Sequence, residues 1–134
     1  IYAFFREPTV FGFAGVMSPA FWFAGGKIFD YIQSAPFAPG RLYLDVGTKE
    51  GEQTLRDVQR MRDLLLGKGY RLGWDLLCVI DEGASHNEAA WRRRLRVPRA
   101  PRRAYGARYP ARGGIASRVC RHDRRDHPAG IPIR

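Results

Sequence analysis

The sequence predicts an α/β domain, a parallel sheet of about three strands with flanking helices, followed by an irregular basic tail. Three observations carry this. Apolar runs without alternation at 10–17, 41–46 and 76–80 have the pattern of strands covered on both faces, as in parallel sheets. The segments between them hold helical patterns, which supply the crossovers that parallel strands need. The charge is unevenly divided: residues 1–95 hold 12 Lys and Arg against 11 Asp and Glu, whereas residues 96–134 hold 11 Arg against 2 Asp. A domain of residues 1–95 and a tail of 96–134 follow from that division.

Each element has a local reason. Ile1 to Arg6 reads as the end of a helix stopped at Pro8, because the residue before a proline is steered away from helical dihedrals. Val10 to Met17 (VFGFAGVM) is the first strand, ended by Ser18-Pro19. Ala20 to Ser34 places Gly25-Gly26 ahead of Ile28, Phe29, Tyr31 and Ile32, which predicts a loop and then a short helix. Pro36, Pro39 and Gly40 mark a turn, and Arg41 to Val46 (RLYLDV) is the second strand, ended by Gly47. The clearest element runs from Glu52 to Leu66. Its residues Leu55, Val58, Met61, Leu64 and Leu65 fall on one face, with Arg56, Asp57, Gln59, Arg60 and Arg62 mostly on the other. Glu50 and Glu52 suit the positive end of its dipole, and Gly67 and Gly69 stop it. Leu76 to Ile80 is the third strand, and Asn87 to Leu95 a final helix that opens just after His86.

Composition narrows the function classes. With 45% hydrophobic and 13% aromatic residues the chain has enough apolar side chain for a core, so disorder along the whole length is excluded. No run reaches the roughly 18 apolar residues of a membrane span, and the aromatic opening is broken by Arg6, Glu7 and Pro8. The sequence begins with Ile1 and has no signal-peptide pattern, which predicts an interior point of a longer protein. Cys78 and Cys120 make neither a disulfide framework nor a CxxC zinc pair, and lean toward a reducing compartment such as the cytoplasm.

In the tail, Arg, Ala, Pro and Gly fill 26 of 39 positions, and Leu, Phe, Trp, Met and Lys are missing. Such a segment buries too little apolar surface to offset its chain entropy and is expected to be irregular. Its residues favour GC-rich codons, as a shifted reading frame would. His122, Asp123, Asp126 and His127 are ligand-type residues near Cys120, but their spacing matches no structural zinc pattern and the intervening arginines repel a cation, so no metal is expected. The arginines with Tyr105 and Tyr109 give a reading from another class: a basic protein contacting nucleic acid or another polyanion.

Open parallel sheets gather ligands at the carboxyl ends of their strands. That rule singles out the loops at 18–22, 47–50 and 81–87. If the strands are neighbours, a carboxylate of the second loop lies beside the histidine of the third. This is the arrangement in which an acid orients an imidazole to take a proton from a hydroxyl nucleophile.

The path VFGFAGVMSPAFWF, RLYLDVGTKEGE, the amphipathic helix and CVIDEGASHNEAAWRRRL resembles the C-terminal half of an esterase family of α/β hydrolases. That family includes enterochelin esterases, feruloyl esterases and S-formylglutathione hydrolases. The resemblance covers residues 1–95 and is most specific in GASHNEAAW. It implies a three-layer α/β-hydrolase fragment, whose parent is a serine carboxylic-ester hydrolase acting on a small-molecule ester without metal or organic cofactor. By this resemblance His86 is the general base, Glu50 the acid, and Ser18, Phe21 and Trp22 belong to the wall of the substrate site. Asp45, Glu52, Asp81 and Glu82 compete as the acid; Asp45 lies inside a strand, and Glu52 is explained by the helix start. Family members carry a G-x-S-x-G-G nucleophile elbow before the helix that leads into the first strand here. The serine and the oxyanion-hole amides are therefore expected upstream, leaving this chain inactive alone, with an open sheet edge that favours self-association. Ser18 stands in G-V-M-S-P, without the glycine two residues on that a nucleophile elbow needs. Ser85 adjoins His86 as a loop serine.

Overall fold

The sheet is built around one central strand whose sequence, RLYLDVG, leaves almost nothing exposed. In the computed structural model, which describes residues 1–95 and the pair 118–119, that strand is β2 (Arg41–Gly47). It lies between β1 (Phe13–Met17) and β3 (Leu76–Asp81), parallel to both. Register places Met17 beside Asp45 and Gly47 beside Asp81, so the three strands end together. The helices are α1 (Tyr2–Arg6), α2 (Lys27–Ser34, entered through a 3-10 turn at Phe23–Gly26), α3 (Glu52–Gly67) and α4 (Glu88–Arg94). A two-residue strand, β4 (Arg118–Val119), pairs antiparallel with β3. The expectations for the remainder of the tail, including the ligand-type residues at 122–127, the polyanion-binding reading and the shifted frame, lie outside the described residues.

Strand pleating divides the apolar residues into two sets. Leu42, Leu44 and Val46 of β2, with Leu76 and Cys78 of β3, face a layer made by α1, α2 and α3, which contribute Phe4, Phe5, Phe29, Ile32, Val58, Met61 and Leu65 to one buried core. Tyr43, Leu77 and Val79, with Met17, occupy the other face. There α4 arrives at the carboxyl end, where its Arg94 meets Asp45. The parallel α/β sheet with flanking helices matches the expected class. The described residues show one full helical layer, with α4 alone reaching the second face.

Two local expectations are corrected. The first strand was expected to be covered on both faces, yet β1 alternates between exposed and partly buried positions, and Phe13 is exposed. It is the edge of the sheet among the described residues, with β2 on one side only. An unbroken apolar run signals contact with something apolar, and does not say whether that contact lies within this segment. Asp57, assigned to the polar face of α3, is buried and accepts a hydrogen bond from Gln53. The end of α3 is tied to the end of α2 by Lys68, whose ammonium donates to the carbonyls of Gln33 and Ala35 at 3.1 and 2.5 Å. The hydroxyl of Tyr70 donates to Ala38, and burial pushes its pKa up to about 12.

Leu44 is fully buried at the centre of β2, between the two neighbouring strands and above the helical layer. Leu44→Ala is expected to lower the unfolding free energy by about 2–5 kcal/mol, seen as a drop in denaturant midpoint at unchanged slope.

Candidate active site

The loops after β2 and β3 close on each other before any side chain is considered. The amide of Thr48 donates to the carbonyl of Asp81 at 3.1 Å, and that of Lys49 to the carbonyl of Ala84 at 2.9 Å. Gly47 permits this approach, since a Cβ at that position would overlap the Ala84 carbonyl. Thr48 adds a side-chain tie, its hydroxyl accepting from the Gly83 amide at 2.8 Å. Asn87 then caps α4, its side-chain oxygen accepting from the Ala90 amide at 3.0 Å. His86 is thereby fixed one residue ahead of a helix start, over the loop that carries Glu50.

The two residues meet. Nδ1 of His86 lies 3.0 Å from Oε2 of Glu50. The Glu50 side chain has no exposed surface, whereas that of His86 is 59% exposed. A carboxylate can only accept, so the shared proton sits on Nδ1 and the Nε2 lone pair is left available. Nε2 has no hydrogen-bond partner among the described residues. The ring also packs edge-on against Trp91, with centroids 4.9 Å apart.

The other oxygen of Glu50 is held as closely. Oε1 accepts from the Gly47 amide at 2.8 Å, the Ser18 hydroxyl at 2.8 Å and Nη2 of Arg94 at 3.0 Å. Burial pushes the Glu50 carboxyl up, but the hydrogen bonds from His86, Ser18, Gly47 and Arg94 outweigh it and hold the group below its ordinary value of 4.5. Behind it, Asp45 is also buried; its Oδ1 accepts from the Ser18 amide at 3.1 Å and its Oδ2 from the Tyr43 hydroxyl at 2.8 Å. Burial prevails there, and the Asp45 carboxyl is pushed up despite Tyr43, Arg94 and Ser18. Tyr43 is likewise pushed upward by its own burial and by Asp45.

Of the residues expected in the site, the structure brings Glu50, His86 and Ser18 together. Ser18 is not a wall facing a substrate. It is buried, and its hydroxyl donates to Glu50 while accepting from Nε1 of Trp91 at 3.0 Å and Nη2 of Arg94 at 2.9 Å. One donor and two acceptor sites are thus all in use, and no proton remains for His86 to remove. Its φ of 43° is unusual for a residue with a Cβ, and the three side-chain hydrogen bonds supply the compensation. Phe21 is corrected from wall to core, buried with its ring 5.7 Å from that of Phe29. Trp22 is exposed, and makes no hydrogen bond or ring contact with His86, Glu50 or Ser18 among the described residues. Among the competing acids, Asp45 and Asp81 lie in the buried network, while Glu52 pairs with Arg56 on α3 and Glu82 lies 3.4 Å from the Thr48 hydroxyl.

Arg94 and Trp91 are the site residues that sequence reasoning missed. A triple arginine reads as a solvated helix end, yet Arg94 is 3% exposed. The signal was present in the spacing: Ala90 and Arg94, four apart on a short helix, share its buried face. No group of His, Cys, Asp and Glu among the described residues could hold a metal ion, and no helix among them is long and apolar enough to cross a membrane. No protein family, curated protein or solved structure matches this chain.

Because the Glu50 pKa is lowered on folding, its contribution to stability is complete above the unfolded value and is lost as pH falls through the folded one. Glu50→Gln removes that contribution. The stability gap between wild type and Glu50→Gln is therefore expected to be widest at neutral pH and to narrow as pH falls below 4.5 in paired denaturant titrations.

Proposed function

We propose that residues 1–95 are the part of a serine carboxylic-ester hydrolase of the α/β-hydrolase type that carries the acid and the histidine of its triad. The observation that carries the reading is the Glu50–His86 contact at the carboxyl ends of adjacent parallel strands, with the opposite ring nitrogen exposed. His86 takes the proton of a serine as it attacks the ester carbonyl, returns it to the leaving alcohol, and then activates water in the same way for deacylation. Glu50 holds the imidazole in the working tautomer and stabilises the imidazolium that forms. The order of the pair along the chain, acid before histidine, is that of the α/β-hydrolase triad.

On this reading none of the serines of these 134 residues is the nucleophile. The serines at 18, 34, 85 and 117 all lack a G-x-S-x-G context. Ser18, the hydroxyl nearest the acid, is already committed to Glu50, Trp91 and Arg94. Without the serine and the oxyanion donors, both covalent catalysis and the main electrostatic contribution are missing.

The purified 134-residue chain is expected not to turn over a simple aryl ester above the buffer rate. Turnover that disappears in His86→Ala would overturn the assignment of the nucleophile. The genomic frame upstream of Ile1 is expected to encode a G-x-S-x-G-G run. In a protein carrying that run, His86→Ala should cost on the order of 10⁶ in kcat and Glu50→Gln on the order of 10⁴. An ester hydrolase indifferent to His86→Ala would sink the reading.

A further inference from the structure

We infer that Ser18 and Arg94 are positioning residues: with the Gly47 amide they hold Oε1 of Glu50, so that Oε2 alone is presented to His86. The inference deepens the esterase reading and takes its catalytic meaning from it. A carboxylate has two equivalent oxygens, and an imidazole beside an unrestrained one can meet either, or turn to offer its other nitrogen. Here three donors within 3.0 Å converge on a single oxygen. The carboxylate plane is then set from behind, and the ring is aligned by the one acceptor left.

The placement of Arg94 argues against a role as mere counter-charge. Its guanidinium is buried beside three carboxylates, but only Glu50 receives a hydrogen bond. Nη1 is 3.6 Å from Oδ1 of Asp45 and Nε is 3.9 Å from Oδ2 of Asp81, and neither nitrogen has a hydrogen-bond partner among the described residues. Nη2, by contrast, bridges Ser18 Oγ at 2.9 Å and Glu50 Oε1 at 3.0 Å. A buried arginine placed for stability alone would saturate its fork on Asp45 or Asp81. This one is aimed at the atom behind the histidine. Ser18 completes the arrangement by donating to the same oxygen while accepting from Arg94, and it keeps a left-handed φ to do so.

The test reads the ring directly. In the full chain with ¹⁵N-labelled histidine, at a pH where the imidazole is neutral, His86 is expected to be protonated on Nδ1 and bare on Nε2; its signals are assigned by their loss in His86→Gln. Arg94→Lys keeps the charge but cannot bridge Ser18 and Glu50, and is expected to lower the ratio of the two neutral tautomers about tenfold, as losing one charge-assisted hydrogen bond would. Ser18→Gly removes the hydroxyl while relieving the strained φ, so it keeps the fold, and should move the ratio in the same direction. Near-ultraviolet circular dichroism identifies the folded variants. A folded Arg94→Lys or Ser18→Gly chain with the wild-type ratio overturns the positioning role. A wild-type chain with both tautomers equally populated, or one whose ratio is unmoved by Glu50→Gln, overturns the acid–histidine pair on which the esterase reading stands.

Discussion

A carboxylate with no exposed surface must find every hydrogen bond inside the protein, and the carboxyl end of this sheet is organised around satisfying Glu50. Its four partners come from four places: the end of β2, the loop after β1, the loop after β3 and the last turn of α4. Only Gly47 is near Glu50 in the sequence. Four segments therefore share one acceptor group. An error in any of them leaves the same charge partly unpaired in a dry place, which is a steep penalty for a small fold. The parallel register of β1, β2 and β3 is what allows the sharing, since it brings the three strand ends level.

The same geometry separates two jobs that acids do here. Glu50 is stabilised as an anion by donors on both oxygens, and Asp45 beside it is driven the other way by burial. Arg94 lies between them and bonds to only one. The two neighbouring carboxyls are thus displaced in opposite directions, and the one displaced downward is the one that faces the imidazole.

The backbone plan was legible because its signals are local. The stripe from Leu55 to Leu65, the apolar run Leu76–Val79 and the proline and glycine stops all act within a few residues, and the elements fall close to where they were expected. The meeting of Glu50 and His86 was legible on one condition: the strand-end rule places the two loops side by side if their strands are neighbours, and β2 and β3 pair directly. What escaped was set by distance along the chain. The spacing from Ala90 marks Arg94 as facing inward, but a run of three arginines does not name Ser18, Asp45 and Glu50, which lie across the sheet end, as its partners. Phe21 was misplaced for the converse reason. An aromatic beside a strand end suits a binding wall and a core equally well, and its neighbour Phe29 decided the matter. An open sheet edge was expected, but the exposure of the faces of β1 was not, since an apolar run describes a strand and not what covers it.

One tie has a consequence for how this region comes apart. The short helix α4 is held to the rest of the site by side chains: Trp91 and Arg94 converge on the hydroxyl of Ser18, Arg94 also donates to Glu50, and Arg93 pairs with Asp81 at 3.6 Å. It belongs to neither the main hydrophobic cluster nor the layer formed by α1, α2 and α3. Seven residues make a poor helix by themselves, so α4 depends on these side-chain contacts to stay in place. When it swings open, the strands and their helical layer can stay assembled while Ser18 loses two of its three partners and Glu50 its guanidinium. The surroundings of Glu50 thus depend on a helix that the main hydrophobic cluster does not include.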